Sequence, residues 1–300
     1  MTGASGRIGR AVVAALAADP EVDEVVALDV AAPDAPLPLG VRHLIRDTRD
    51  PRLVDNLDGV DALVHLAFRV LDRREAERVN VDGSRNVFDG AVAAGVRVIV
   101  HASSGAVYGG HADNPVPLKE DRPLRPAAFA YPETKVRVER LLEALSSRTS
   151  DTRAVWLRAS TTLGPGAPLL LGRSALVRLA DFDPPTQFTW VDDVASAFVC
   201  ALHAREARGA FNVGASGTVR SSEIAGILGV RDVAMPYRPR RALAAAMTLA
   251  RLPGALHPGF VDMARYPIVV DAGRAHRELG WRPRLDTLAT LRRFGELIGS

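Results

Sequence analysis

Tyr131 and Lys135 stand four residues apart in the run Tyr131-Pro132-Glu133-Thr134-Lys135, and Ser104 stands in Ser103-Ser104-Gly105-Ala106-Val107-Tyr108-Gly109. Residues four apart share one helix face, so a helix here presents a phenol and an ammonium together. A free phenol ionises at about pH 10. A positive neighbour stabilises the phenolate and draws that value toward neutrality. Such a phenol serves as general acid and base, and the Ser104 hydroxyl can orient a substrate oxygen against it. The chemistry is proton transfer at a secondary alcohol or ketone. Lysine occurs only at 119 and 135, which makes a chance pairing with this tyrosine the poorer explanation.

A second constellation opens the chain: Thr2-Gly3-Ala4-Ser5-Gly6-Arg7-Ile8-Gly9. Glycines at 3, 6 and 9 let the backbone turn tightly and approach a pyrophosphate, while the following helix offers free N–H groups and a partial positive charge. Asp29 lies twenty residues beyond Gly9. A carboxylate there accepts hydrogen bonds from an adenosine ribose and repels a 2′-phosphate, which favours NAD over NADP. Arg7, in the same loop, would partly offset that repulsion.

The elements that must position these residues alternate. Helical periodicity covers 7–18, 75–94, 131–146 and 192–204. Apolar runs at 22–28, 41–45, 61–67, 96–102 and 152–159 read as strands. This order predicts an α/β fold: a doubly wound parallel sheet of Rossmann type with helices on both faces. The expected division is a dinucleotide-binding domain over 1–160, to which 189–208 returns, and a smaller C-terminal substrate lobe over 161–188 and 209–300. Within the lobe a short strand is expected at 211–213, and a helix at 221–228 with Ser221 or Ser222 as N-cap. The apolar segment 242–256, interrupted by Arg251 and Pro253, suits a core or interface helix, with membrane-surface binding as the weaker reading. One expectation runs against the pattern. A strand should precede the glycine loop, and only Met1 stands there, so the first, central strand is expected to be missing.

Composition narrows the partners. The chain has 300 residues, 47% hydrophobic and 24% charged, with a net charge of +3 and a pI near 9.4. The charge is dispersed, with no basic block interleaved with aromatics, so nucleic acid is not an expected partner. No run is long and apolar enough for a transmembrane helix, and no signal peptide is evident. The single cysteine, Cys200, reads as a packing residue and suits a reducing compartment, so a cytoplasmic protein with a small-molecule substrate and no membrane partner is expected. His65, His101 and His111 lack metal-ligand spacing, and no metal is expected. No nucleophile elbow or paired carboxylates point to an esterase or a glycosidase.

Taken together, these blocks resemble the extended short-chain dehydrogenase/reductases, in the NAD-dependent epimerase/dehydratase family, over nearly the whole chain. The resemblance implies that Gly3, Ser5, Gly6, Arg7, Ile8 and Gly9 form the cofactor loop. It implies that Asp29 is the ribose carboxylate, that Asp47 and Thr48 contact adenine, and that Leu66, Ala67 and Phe68 line the cofactor. Asn80 falls on the family's helical asparagine, in a proton relay or as a backbone brace. Ser104, Tyr131 and Lys135 fall on the catalytic positions, with Tyr131 and Lys135 also touching NAD. Later blocks agree: Leu157-Arg158, Gly164-Pro165-Gly166, Trp190-Val191-Asp192-Asp193-Val194-Ala195, Phe211-Asn212-Val213 and Leu279-Gly280-Trp281-Arg282-Pro283. The resemblance also implies a homodimer through the helices at 75–94 and 131–146. Departures are Trp190 in place of a usual histidine, Ala159 in place of a proline, and a short 167–188 stretch without the glycine-rich, arginine-ended pattern of sugar-nucleotide holders. Both net oxidoreduction and epimerisation with transiently used NAD fit these residues. A catalytically silent NAD-binding regulator is the alternative of a different class.

Overall fold

The computed structural model describes residues 1–70, 73–169, 174–252 and 255–299. Behind the glycine loop, α1 (Arg7–Ala17) buries Gly9, Val12, Val13 and Leu16 on one stripe, the spacing of a helix with a single apolar face. Strands β1 (Val25–Asp29), β2 (Val41–Ile45), β3 (Ala62–His65), β4 (Val98–Ser104) and β5 (Arg153–Ala159) follow. Between β3 and β4 lie α2 (Arg73–Ala76), a π-helical turn at Glu77–Asp82 and α3 (Gly83–Ala93). The helix expected over 75–94 is thus one run with a widened turn in its middle. α4 (Ala130–Ser146) connects β4 to β5.

The second half is less regular. Strand pairs β6 (Thr161–Leu163) with β9 (Phe188–Trp190), and β7 (Ala175–Leu179) with β12 (Arg231–Met235), are parallel. β8 (Pro185–Thr186) pairs antiparallel with β11 (Val219–Arg220). β10 (Gly209–Val213) leaves this region and extends the main sheet beside β5. Helices α5 (Val191–His203), α6 (Ile224–Leu228), α7 (Tyr237–Leu249), α8 (Pro258–Met263) and α9 (Thr287–Gly299) complete the chain.

Successive residues of the central strands point into two different cores. Val98, Val100, Val155 and Leu157 meet α1 and α5 on one face; Ile99, Ala154 and Trp156 meet α3 and α4 on the other. The sheet is parallel and buried on both sides, which makes it doubly wound. Its order is β2–β1–Thr2–β3–β4–β5–β10. Thr2 supplies one rung where a full strand is expected, bridging Leu28 on one side and His65 on the other. Its amide donates to Val64 O at 2.9 Å, and Leu66 N donates to Thr2 O at 3.0 Å. Toward Val25 and Ala62, β1 and β3 have no strand between them among the described residues.

Two local expectations are corrected. Neither Ser221 nor Ser222 caps α6, which starts at Ile224 behind Glu223. Their hydroxyls are drawn instead to Pro184 O at 3.2 Å and to the Asp183 carboxylate at 3.0 Å, because the β8–β11 pairing brings that loop alongside. The segment expected as a core or interface helix over 242–256 is helical only to Leu249, and α7 buries Ala244 alone; Pro253 lies outside the described residues.

Candidate active site

The glycine loop is locked by close approach. Gly3 has φ +74°, and a Cβ there would stand 2.5 Å from Ala67 N; a Cβ on Gly9 would stand 2.0 Å from Gly3 O. Glycine is required at both places, because any side chain would separate the loop from β3 or from its own helix. Ser5 N donates to Asp29 Oδ2 at 2.9 Å, and Ala31 N donates to Asp29 Oδ1 at 3.2 Å. Asp29 therefore fixes the loop, and each oxygen keeps a lone pair for a ribose hydroxyl. No side chain caps the first amides of α1, which leaves them to an anion. Arg7 does not approach Asp29: its Nη1 donates to Thr162 O at 3.0 Å, so the expected offset of the ribose-edge repulsion is not built here. Ile8 packs between the core under the sheet and the lobe. These residues fit a dinucleotide with an unphosphorylated ribose.

The adenine-side pair is less direct. Asp47 is held below the usual carboxylate range chiefly by its hydrogen bond with Arg49, whose backbone N it also accepts at 2.8 Å. Thr48 is buried, its Oγ1 filling the space a Cβ on Gly83 would need. Leu66 and Ala67 pass under the glycine loop, their backbone against Gly3.

Ser104 ends β4 and Tyr131 opens α4, which sets the serine hydroxyl beside the phenol. Burial pushes the Tyr131 phenol up; the neighbouring Ser104 hydroxyl and the charge of Arg7 pull it back. Lys135, one turn along, is itself buried. Its Nζ donates to Ala102 O at 2.5 Å and lies 3.6 Å from the centroid of the Phe68 ring. Burial lowers it to about 7, against the pull of Glu139. The charge that pulls the Tyr131 phenol back is that of Arg7, while Lys135 lies over Phe68 one turn along α4.

Beneath Lys135 lies a buried support. Glu139 accepts from Arg158 Nη2 at 2.7 Å and Nε at 3.0 Å, and from the Ser103 hydroxyl. Arg158 Nη1 also donates to the Tyr108 hydroxyl at 2.8 Å, which in turn donates to Asn212 Oδ1 at 2.8 Å. Ser103, Tyr108 and Asn212 are thus structural. So is Asn80: its amide accepts from Arg69 N and donates to Arg69 O, both at 2.9 Å, which decides for the backbone brace. Sitting in the π-helical turn, it anchors the loop that carries Phe68.

Sequence reasoning missed the roof. Phe260 of α8 stands 5.6 Å from the Tyr131 ring, and Phe68 stands 5.8 Å away, edge-on. A Cβ on Gly259 would meet Phe129 at 2.3 Å and one on Gly110 would meet Met263 O at 2.2 Å, so α8 is seated tightly over the catalytic loop. No local spacing signals a contact so distant in sequence. By contrast Glu139, four residues beyond Lys135, lies within the helix-face rule that links Tyr131 and Lys135. The later motifs meet away from the site: Asp193 accepts from Arg284 N at 3.0 Å and Leu285 N at 3.2 Å, and Trp190 donates to Asp192 at 3.1 Å. Among the described residues no group of histidine, cysteine and carboxylate side chains is placed to hold a metal, and no helix is long and apolar enough to cross a membrane.

Comparison with known proteins places this geometry. The family model for the NAD-dependent epimerase/dehydratase family matches residues 1–214. An uncharacterized protein of Mycobacterium tuberculosis is 28% identical over 305 residues, covering 96% of this chain and 80% of its own. The structure of MoeE5 in complex with UDP-glucuronic acid and NAD superposes with a TM-score of 0.77 at 27% identity, over 98% of this chain and 96% of that one. DesIV, a dTDP-glucose 4,6-dehydratase from Streptomyces venezuelae with NAD bound, gives 0.75 at 25% identity, over 98% and 94%. With the glycine loop, the doubly wound sheet and the Ser–Tyr–Lys set in place, the chain belongs to the NAD-dependent epimerase/dehydratase family.

Proposed function

We propose that this enzyme oxidises or reduces a secondary alcohol or ketone, with Tyr131 as general acid and base. The observation that carries this reading is the placing of Ser104, at the carboxyl end of β4, beside the buried Tyr131 phenol at the start of α4, next to a loop that fits a dinucleotide. Gly3, Ser5, Gly6, Arg7, Ile8 and Gly9 would hold the pyrophosphate of NAD. Asp29 would hold the adenosine ribose, Asp47 and Thr48 the adenine, and Leu66, Ala67 and Phe68 the inner wall. NAD supplies the hydride acceptor or donor. Ser104 holds the substrate oxygen against the phenol, and Tyr131 takes or returns its proton. Lys135 would hold the nicotinamide ribose and, while protonated, lend positive charge. The proposed organisation is a dinucleotide-binding domain over 1–160 with 189–208, to which β10 (Gly209–Val213) also belongs by its pairing with β5, facing a substrate lobe built from 161–188 and the residues after Val213. It works as a homodimer through 75–94 and 131–146, in the cytoplasm.

The sugar nucleotides of the neighbouring enzymes support a sugar-nucleotide substrate, with epimerisation or dehydration as the net outcome. The rings of Phe68 and Phe260 on either side of Tyr131 favour a second reading, an apolar alcohol oxidised outright. Incubation with NAD and a panel of both classes, followed by NADH absorbance and product analysis, separates them. Tyr131→Phe is expected to keep NAD binding and lose about 10²–10⁴ in turnover; unchanged turnover in that variant overturns the mechanism.

A further inference from the structure

The outward side of α7 is apolar along its length. Pro239, Ala242, Leu243, Ala246, Leu249 and Ala250 recur at helical spacing and all are exposed, while the opposite side buries only Ala244. Leu243 is 50% exposed and Leu249 87%, and the chain beyond adds Leu252 at 49% and Leu256 at 40%. A helix on the surface of a globular domain has the reverse arrangement, with its apolar stripe turned to the core. A contiguous apolar strip of this kind marks a surface that meets something other than water.

The charges around the strip indicate what it meets. Exposed Arg238 and Arg251 flank it, and no aspartate or glutamate occurs between Tyr237 and Val261. Arg241 turns to α8, where Asp262 holds it at 2.8 Å; neither Arg238 nor Arg251 has an ion-pair partner among the described residues. We propose that this face of α7 docks on the surface of an anionic lipid bilayer. Leucines enter the acyl boundary while arginines reach the headgroup phosphates, as in helices that lie in the membrane interface. Thirteen helical residues are too few to span a bilayer, so the helix lies in the plane. A second copy fits this face poorly, because it would set one group of arginines against another with no carboxylate on the strip. The position has a consequence for the site. α7 is bonded to α8 through Tyr237 Oη and Arg241 Nε, both donating to Asp262, and α8 carries the Phe260 ring beside Tyr131. The docking helix is therefore packed, through its inward side, on the element that carries Phe260.

The test is co-sedimentation of the full chain with phosphatidylcholine vesicles, with and without phosphatidylserine. Binding is expected with phosphatidylserine and should fall with added salt. Leu243→Ser with Leu249→Ser is expected to weaken it about tenfold or more, and Arg238→Gln with Arg251→Gln to a similar degree. All four side chains face solvent, so a circular-dichroism melt should show the fold unchanged. Arg122→Gln with Arg205→Gln, which removes the same charge elsewhere, should leave binding nearly intact. Three outcomes overturn the proposal: no vesicle binding at low salt, undiminished binding by the leucine variant, or a dimer in solution that the leucine variant dissolves.

Discussion

Burial lowers Lys135 to about 7, and Glu139 is the residue that opposes that shift. Removing the carboxylate charge leaves the Arg158 guanidinium buried without a counter-charge, and leaves Lys135 facing it. Glu139→Gln is therefore expected to destabilise the fold by about 3–5 kcal/mol, read by denaturant titration. It should also move the alkaline limb of turnover to lower pH, because Lys135 would release its proton earlier; a limb that stays in place would show that Glu139 only braces the fold. His65 gives a second pH dependence. Enclosed between Thr2 Oγ1 at 2.7 Å and Ser84 Oγ at 2.9 Å, it is lowered to about 3, first by burial and then by the Lys135 and N-terminal charges. An unfolded chain protonates this histidine at about 6.5, whereas the folded one does not until far lower pH. The stability it contributes is present above that value and lost as pH falls toward 3, by about 1.4 kcal/mol per pH unit at the steepest. Unfolding free energies measured across this window should fall less steeply in His65→Gln than in the parent; equal slopes would refute the assignment. At this scale Tyr131 and Lys135 were legible as a pair because helix spacing is a local rule. The cation that acts on Tyr131 was not, because the reach of Arg7 depends on where β6 places Thr162.

The strands and helices of the first half were legible to within a few residues, since apolar periodicity reports which side of an element meets the core; most of the short strands and the last helices of the second half were not. What periodicity missed were events set by neighbours. The widened turn at Glu77–Asp82 places Asn80 on the Arg69 backbone, and the β8–β11 pairing claims the two serines expected to cap α6. The stub at Met1–Thr2 carries a prediction at this scale. An extension of six to eight apolar residues before Met1, about one strand, would pair with β1 and β3 where they now have no common neighbour. It is expected to raise the melting temperature and tighten NAD binding, by supplying backbone partners and stiffening the glycine loop. Equal melting temperature and equal affinity in the two forms would count against it.

Across the whole molecule, the proposed homodimer places α4 and the helical run at 73–93 at a shared interface. Within one chain those two helices are already tied by the Arg137–Glu77 ion pair, so the paired surface is a single rigid face. Sedimentation velocity at micromolar concentration should show a dimer, and a monomer there would exclude this arrangement. The sequence by itself determined the doubly wound sheet, and it singled out the glycine loop and the trio Ser104, Tyr131 and Lys135 on which the proposed chemistry rests. Each rests on short-range spacing: three glycines before a helix, one turn between Tyr131 and Lys135, alternation along each strand. Only the tertiary structure decided that Lys135 lies over Phe68 with its charge contested by burial, that Phe260 roofs the catalytic phenol, and that α7 turns its leucines outward. Those facts depend on which distant surfaces meet, and on which one meets nothing within the chain, and no local spacing encodes either.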